Sequence, residues 1–322
     1  MDTDTILDFP SRTIGSPQGI IDKHNRENST SQFFSRVEEY PVFYRKYDTM
    51  GHDGHELEVF ADRDIPSHKV LINSYTGSPV GVVGSSYKVQ QMKEYTEAAE
   101  SLLMDILPPA YFKDLEIEDS MGKHGAVRAR KYTFHSVGMP IQTRKHSTDT
   151  SLTLVMLQSY DGSTSNGFVT GLIDSYCLNG LVSGDYSRGS KRHTSGFNLE
   201  NFIRQIEQMT QEYHKNIQRC RVWASTDIPL TQGEGVIEAL PGMSKRRGKK
   251  LKEQFLSEVG VRGSNVWALA SALTFYSSHN SEQFPVKGSR TNDNETATLL
   301  ERSRQVTKWL ESKQFQSLLA VA

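Results

Sequence analysis

Apolar residues recur at two different periods along this chain, and the change of period divides it. In the first part the period is two. Val37 to Tyr47 is rich in aromatics, Glu56-Leu57-Glu58-Val59-Phe60 alternates, and Val70 to Tyr75 and Val80 to Val83 continue the pattern, as half-buried strands do. Arg128 to His135 alternates too, placing Arg128, Arg130, Tyr132 and Phe134 on one face and Ala129, Lys131 and Thr133 on the other. Leu152 to Leu157 is apolar on both faces, which predicts a central strand. Asp161-Gly162 then signals a hairpin turn, with a longer loop than the tightest type, before Phe168 to Ile173. One helix interrupts this part: Val89, Met92, Ala99, Leu102, Leu103 and Ile106 fall three or four apart, and Pro108-Pro109 ends them.

After Gly184 the period becomes helical. Asn198 is placed to cap a helix carrying Leu199, Phe202, Ile203, Ile206, Met209 and Tyr213 on one face. Thr231-Gln232-Gly233-Glu234 has capping-box spacing ahead of Val236, Ile237 and Leu240. Ser264 is placed to cap Val266, Trp267, Ala270 and Leu273, and a last amphipathic helix runs from about Asn294 to Leu310. No solenoid repeat is visible. The expectation is an α+β fold: a strand-rich N-terminal half with antiparallel sheet and a helical C-terminal half. Residues 1–32, polar with scattered apolars, read as a flexible N-terminal arm, 33–190 as the strand-rich core and 191–322 as a helical region packed on it.

At 322 residues the chain can bury a substantial core. Mean hydropathy is low, at -0.54, which predicts polar tails or long polar loops around that core. The two cysteines, Cys177 and Cys220, lie far apart without metal-ligand spacing, so free thiols in a reducing compartment are expected. Met1 to Pro10 shows no secretory signal and no apolar run is long enough to span a bilayer; a soluble protein of the cytoplasm follows, without membrane partners.

Net charge is -1, yet positive charge is concentrated in three stretches. The densest is Ser244 to Lys252, with Lys245, Arg246, Arg247, Lys249 and Lys250. Met121 to Thr148 holds Lys123, Arg128, Arg130, Lys131, Arg144 and Lys145 with no acidic residue among them, and Tyr186 to His193 holds Arg188, Lys191, Arg192 and His193. Tyr87, Tyr132, Phe134 and Tyr186 sit beside Lys88, Arg130, Lys131 and Arg188. Aromatic faces stack bases while cations neutralise phosphates, so this interleaving suits single-stranded nucleic acid. A solvated helix face and a structural core are the plainer readings of the same charges and rings.

Other chemistry is thinly marked. His52, Asp53, His55 and Glu56 are four possible metal ligands in five positions, although Asp-Gly turn chemistry explains the segment as well. HExxH, paired CxxC, Walker A, GxSxG and GxGxxG motifs are all absent. No cofactor, no metal and no catalytic residue is therefore assigned. Cys177 reads as a half-buried structural thiol. Asp161-Gly162 and Arg192-His193 are expected to meet in loops at strand ends, with Arg192 holding a phosphate.

Several segments together resemble one family. Gly84-Ser85-Ser86-Tyr87-Lys88-Val89-Gln90-Gln91, Ser159-Tyr160-Asp161-Gly162-Ser163-Thr164-Ser165, Cys177-Leu178-Asn179-Gly180-Leu181, Arg192-His193-Thr194 and Asn265-Val266-Trp267-Ala268-Leu269 are similar to blocks of a domain-of-unknown-function family, the 932 family, borne by phages and plasmids. Gln91 stands where that family usually has Asn, and Tyr176 where it commonly has a small apolar residue. The resemblance implies a mobile-element context, hence DNA replication or recombination, and carries no established chemistry. A more distant, fold-level similarity links the strand-then-helix order to phage single-strand annealing proteins.

The sequence thus leads to a single-stranded DNA-binding protein, one that anneals strands as a homo-oligomer in the fullest version. Its contact residues are Tyr87, Lys88, Arg128, Arg130, Tyr132, Arg188, Lys191, Arg192, His193, Lys245, Arg246, Arg247, Lys249 and Lys250. A metal-dependent nuclease using His52, Asp53, His55 or Glu56 with His193, and a phage protein that binds a host factor, remain open alternatives.

Overall fold

The computed structural model describes residues 16–27, 34–52, 55–163, 166–174, 180–182, 199–278 and 295–320. It is α+β, with antiparallel sheets first and helices after. Strands β1 (Val37–His52), β2 (His55–Asn73) and β3 (Pro79–Gly84) form one antiparallel sheet in that order. Strands β4 (Leu115–Gly122), β5 (Val127–Gln142), β6 (Ser147–Ser159), β7 (Gly167–Asp174) and β8 (Gly180–Val182) form a second, also in chain order. The apolar run Leu152 to Leu157 lies in β6, the central strand, with Leu152, Leu154 and Met156 on one face and Thr153 and Leu157 on the other, all buried.

The helices are α1 (Pro17–Glu27), α2 (Met92–Ile106), α3 (Leu199–Ser225), α4 (Leu230–Ala239), α5 (Lys245–Arg262), α6 (Val266–Ser278), α7 (Glu295–Leu310) and the short α8 (Lys313–Gln316). α6 is apolar on every side and buried along nearly its whole length, the signature of a central helix. Helices α3, α6 and α7 also touch the larger sheet, and one contiguous core runs from Ile21 through Tyr132, Leu154 and Trp223 to Leu318.

Three local expectations change. Within the stretch read as a flexible arm, Pro17–Glu27 is a helix with Ile21 buried against the core, Ser16 Oγ accepting from the Gly19 N–H at its start. The capping-box segment lies inside α4: Pro229, its φ preset at -60°, occupies the N-cap position, and Glu234 turns to Lys252, 3.8 Å away. Asn265, not Ser264, caps α6, its Oδ1 accepting from the Ala268 N–H at 2.9 Å, while Ser264 Oγ donates to the Ile228 carbonyl.

The β1–β2 ribbon outruns its sheet. Its register extends from Val37 opposite Asn73 to His52 opposite His55, but β3 pairs only with His68 to Ile72 of β2. Beyond that point, among the described residues, no third strand accompanies the two. Arg45 holds Asp62 across them through two hydrogen bonds, of 2.8 and 3.1 Å.

Candidate functional site

Where β6 ends, polar groups from both sheets converge on Asp161. Its Oδ1 accepts from Ser159 Oγ at 2.5 Å and from the Ser163 N–H at 2.9 Å, and its Oδ2 accepts from Lys123 Nζ at 3.1 Å. Burial pushes this carboxyl up, but the hydrogen bonds from Ser159, Ser163 and Lys123 outweigh that and hold it below its ordinary value. Gly81 of β3 packs on it so closely that a Cβ there would lie 3.2 Å from Asp161 Cα. Tyr87 donates to the Ser159 carbonyl at 3.3 Å, and burial, reinforced by the Asp161 charge, keeps its phenol neutral far above neutral pH. Gln90 ties the loop on the other side, accepting from Asn166 Nδ2 at 2.9 Å and, through its carbonyl, from Gln158 Nε2 at 2.6 Å.

The cation of this cluster is presented by a strained turn. Lys123 and His124, between β4 and β5, have φ of 53° and 55°, and Gly125 follows at 88°. Consecutive non-glycine residues in the left-handed region cost about 1 kcal/mol or more each, so neighbouring contacts must hold them there. Gly125 has no alternative: a Cβ would sit 2.9 Å from Asn73 Nδ2. Chemically the cluster is an ionised carboxylate with its lone pairs occupied and a neutral phenol already bonded. It anchors a loop and joins two sheets, and it offers no nucleophile–base pair.

The face expected to meet nucleic acid is inside the protein. Arg128, Arg130, Tyr132 and Phe134 do share one face of β5, but Arg128 and Tyr132 are 1% exposed and Arg130 and Phe134 are 0% exposed. Arg128 donates to Tyr160 Oη at 3.3 Å and Ser35 Oγ at 3.1 Å, and its guanidinium lies 5.0 Å from the Tyr160 ring centroid. Arg130 lies 3.1 Å from Glu100 of α2, as an ion pair off the hydrogen-bonding line, and 3.6 Å from Asp119 of β4; it donates to Asn25 of α1 at 2.5 Å. Tyr132 donates to Glu100 at 2.9 Å, and His24 of α1 closes the network on Asp119 at 3.0 Å. Burial raises the Glu100 pKa, against the pull of Arg130 and the Tyr132 hydrogen bond. Helix α2 and strand β4 bring the carboxylates Glu100 and Asp119 to this face, which is why a buried Arg130 is tolerated there.

Three further cations of the Met121–Thr148 stretch are neutralised by carboxylates. Lys123 meets Asp161, Lys131 meets Glu118 across the β4–β5 ladder, and Arg144 reaches Asp227 at 2.8 Å. Tyr87 is half-buried against the core, so its ring is no open stacking platform, whereas Lys88 is exposed. Arg188, Lys191, Arg192 and His193 lie outside the described residues, as do Cys177, Asp53 and the proposed meeting of Asp161 with His193. His52 and His55 oppose each other at the ribbon's end, and among the described residues no group of three or more His, Cys, Asp or Glu could hold a metal ion.

The third stretch behaves differently. Ser244 caps α5, its Oγ accepting from the Arg247 N–H, and the basic run forms the first turns. Lys245, Arg246 and Lys249 are exposed, with no acidic residue in the first turn and no ion pair to a described residue. Arg247 folds back, its guanidinium 4.8 Å from the Tyr276 ring and 5.9 Å from Trp309, donating to the Gly242 carbonyl at 3.3 Å. Lys250 is half-buried, and Lys252 pairs with Glu238 at 2.5 Å. Cations at a helix N-terminus oppose the macrodipole, so the run is there at some cost to stability.

Sequence reasoning missed Lys123, Glu100, Asp119 and Tyr160 as parts of these networks. Glu100 alone carried a signal, a carboxylate on the apolar stripe of a predicted helix, between Ala99 and Leu103. No described helix is long and apolar enough to cross a membrane. No curated protein and no solved structure matches the chain. The family described as "Domain of unknown function (DUF932)" matches residues 79–307, a span that takes in the Asp161 cluster, the buried β5 face and the whole of α5; the chain belongs to this family.

Proposed function

We propose that this protein binds single-stranded nucleic acid, DNA foremost, through the opening turns of α5. The observation behind this reading is the exposure of Lys245, Arg246 and Lys249 on a helix N-terminus without an acidic partner in its first turn. Lys123, Lys131 and Arg144 of the other described basic stretch are each matched by a carboxylate; Lys245, Arg246 and Lys249 have no ion pair to a described residue. Phosphates would be drawn both by the three side chains and by the amide end of the helix. Base stacking has less support, because Tyr132 and Phe134 are core residues. A protein of this kind fits DNA replication or recombination, where strands are transiently single, and annealing would further require two strands held at once.

The test is anisotropy of a mixed-sequence single-stranded oligonucleotide at several salt concentrations. Each phosphate contact contributes roughly -0.7 to the slope of log affinity against log salt on a single strand. The triple variant Lys245→Glu/Arg246→Glu/Lys249→Glu should bind more weakly and lose about 2 from that slope. Unchanged affinity and slope in a folded triple variant would remove α5 as the contact.

A further inference from the structure

The outer edge of β1 is protected at one end and open at the other. Near Val37, Gln91 acts as a strand substitute: its Oε1 accepts from the Val37 N–H at 3.0 Å and its Nε2 donates to the Val37 carbonyl at 2.9 Å. Pro41 then contributes no N–H, and a register irregularity falls between Pro41 and Phe43. These are common devices against edge pairing. From Phe43 to His52 neither a proline nor a register irregularity recurs, although among the described residues β1 is the last strand of its sheet and β3 no longer supports its partner. Tyr40, Phe43 and Tyr44 are 45%, 54% and 50% exposed along this strand. A two-stranded ribbon is marginally stable by itself in water, and an edge of this length is a template for another strand.

We infer that the open edge of β1 pairs antiparallel with β1 of a second copy of this chain, joining two three-stranded sheets into one. The inference stands apart from nucleic-acid binding and does not rest on it. A two-fold antiparallel pairing must place one residue opposite itself. With Arg45, Lys46 or Asp48 at the centre, like charges would face each other. A centre at Tyr44 runs into Pro41, and one at Thr49 overruns the end of β1 at His52. Tyr47 and Asp48 are the two middle residues of the open stretch, and charge excludes Asp48. Centred there, the register sets Lys46 opposite Asp48 of the second copy twice over, Tyr44 opposite Met50 and Phe43 opposite Gly51. The ribbon from Val37 to Asn73 carries more acidic than basic residues, which disfavours a polyanion as the partner here and leaves self-pairing with its alternating charges.

Sedimentation of the full chain, free of nucleic acid, across the micromolar range tests this. The wild type should show a concentration-dependent dimer. Lys46→Asp and Asp48→Lys each replace two attractive pairs by two repulsive ones and should raise the dimer dissociation constant roughly tenfold, and the double swap should restore it. Tyr47→Cys should form a disulfide-linked dimer under mild oxidation much faster than Tyr40→Cys. Circular dichroism checks that each variant is folded. A monomeric wild type, a dimer indifferent to both single swaps, a folded double swap that fails to recover, or equal cross-linking at Tyr40 and Tyr47 would each overturn the inference.

Discussion

Arg130 and Glu100 face each other at 3.1 Å inside the protein, the guanidinium from β5 and the carboxylate from α2. Neither is stable there alone. Arg130→Met should destabilise the fold by about 3–5 kcal/mol, because it strands a buried carboxylate whose pKa burial already raises. Adding Glu100→Gln should recover part of that loss. Denaturant melts of the wild type, both single variants and the double variant provide the measurement; the same cost of Glu100→Gln with and without Arg130 would mean the two groups are uncoupled.

Tyr132 is a core residue, so its role is stability. Tyr132→Ala should cost about 3–5 kcal/mol by opening a cavity and removing the hydrogen bond to Glu100. Affinity for single strands, measured on the folded fraction, should not change.

Asp161 makes stability depend on acid. Its folded-state pKa lies below the ordinary 3.8, so its contribution is present above that value and is lost as pH falls through the lowered one. Asp161→Asn should therefore show a flatter acid limb in a plot of Tm against pH than the wild type. A parallel limb would show that other carboxylates set the acid response.

At the start of α5 stability and binding should move in opposite directions. Replacing Lys245 and Arg246 by Glu puts negative charge in the first turn of the helix, at its positive end, each change stabilising by about 0.3–1 kcal/mol at low salt, while Lys249, past the first turn, adds little. The triple variant should melt higher while binding more weakly. A drop in Tm would indicate that these side chains make contacts that hold the fold.

Close approach of α4 and α5 depends on Gly233, where a Cβ would meet the buried Phe255 ring at 2.5 Å. Gly233→Ala should lower stability by about 1–3 kcal/mol, despite alanine's better helix propensity. Gly235→Ala, with open space around its Cα, is the control and should be neutral or stabilising.

The periods of the apolar residues carried the architecture well. β6 is central, α2 stops before Pro108-Pro109, and the Asp161-Gly162 segment does turn β6 back into β7. The shared face of Arg128, Arg130, Tyr132 and Phe134 was also legible. Its environment was not. Alternation shows which side chains share a face, but not what covers that face, and here the covering carboxylates come from α2 and β4 while Asn25 comes from α1. The same limit applies to charge. A stretch without acidic residues in sequence can be neutral in space, as Lys131 with Glu118 and Arg144 with Asp227 show. The α5 run could be read more directly, because charges that dense within a few turns have no room to be buried.

Helix α7 packs against β4 and β5, strands from the first half of the chain, while α6 fills the space between helices and sheet. During synthesis those strands emerge long before α7 does. A nascent chain must therefore keep part of the larger sheet uncovered, with its Val, Leu and Tyr side chains available to other molecules, until the last helices leave the ribosome. Final closure is a long-range event, so slow translation or early truncation should send this protein toward chaperones and aggregates rather than toward a folded N-terminal half.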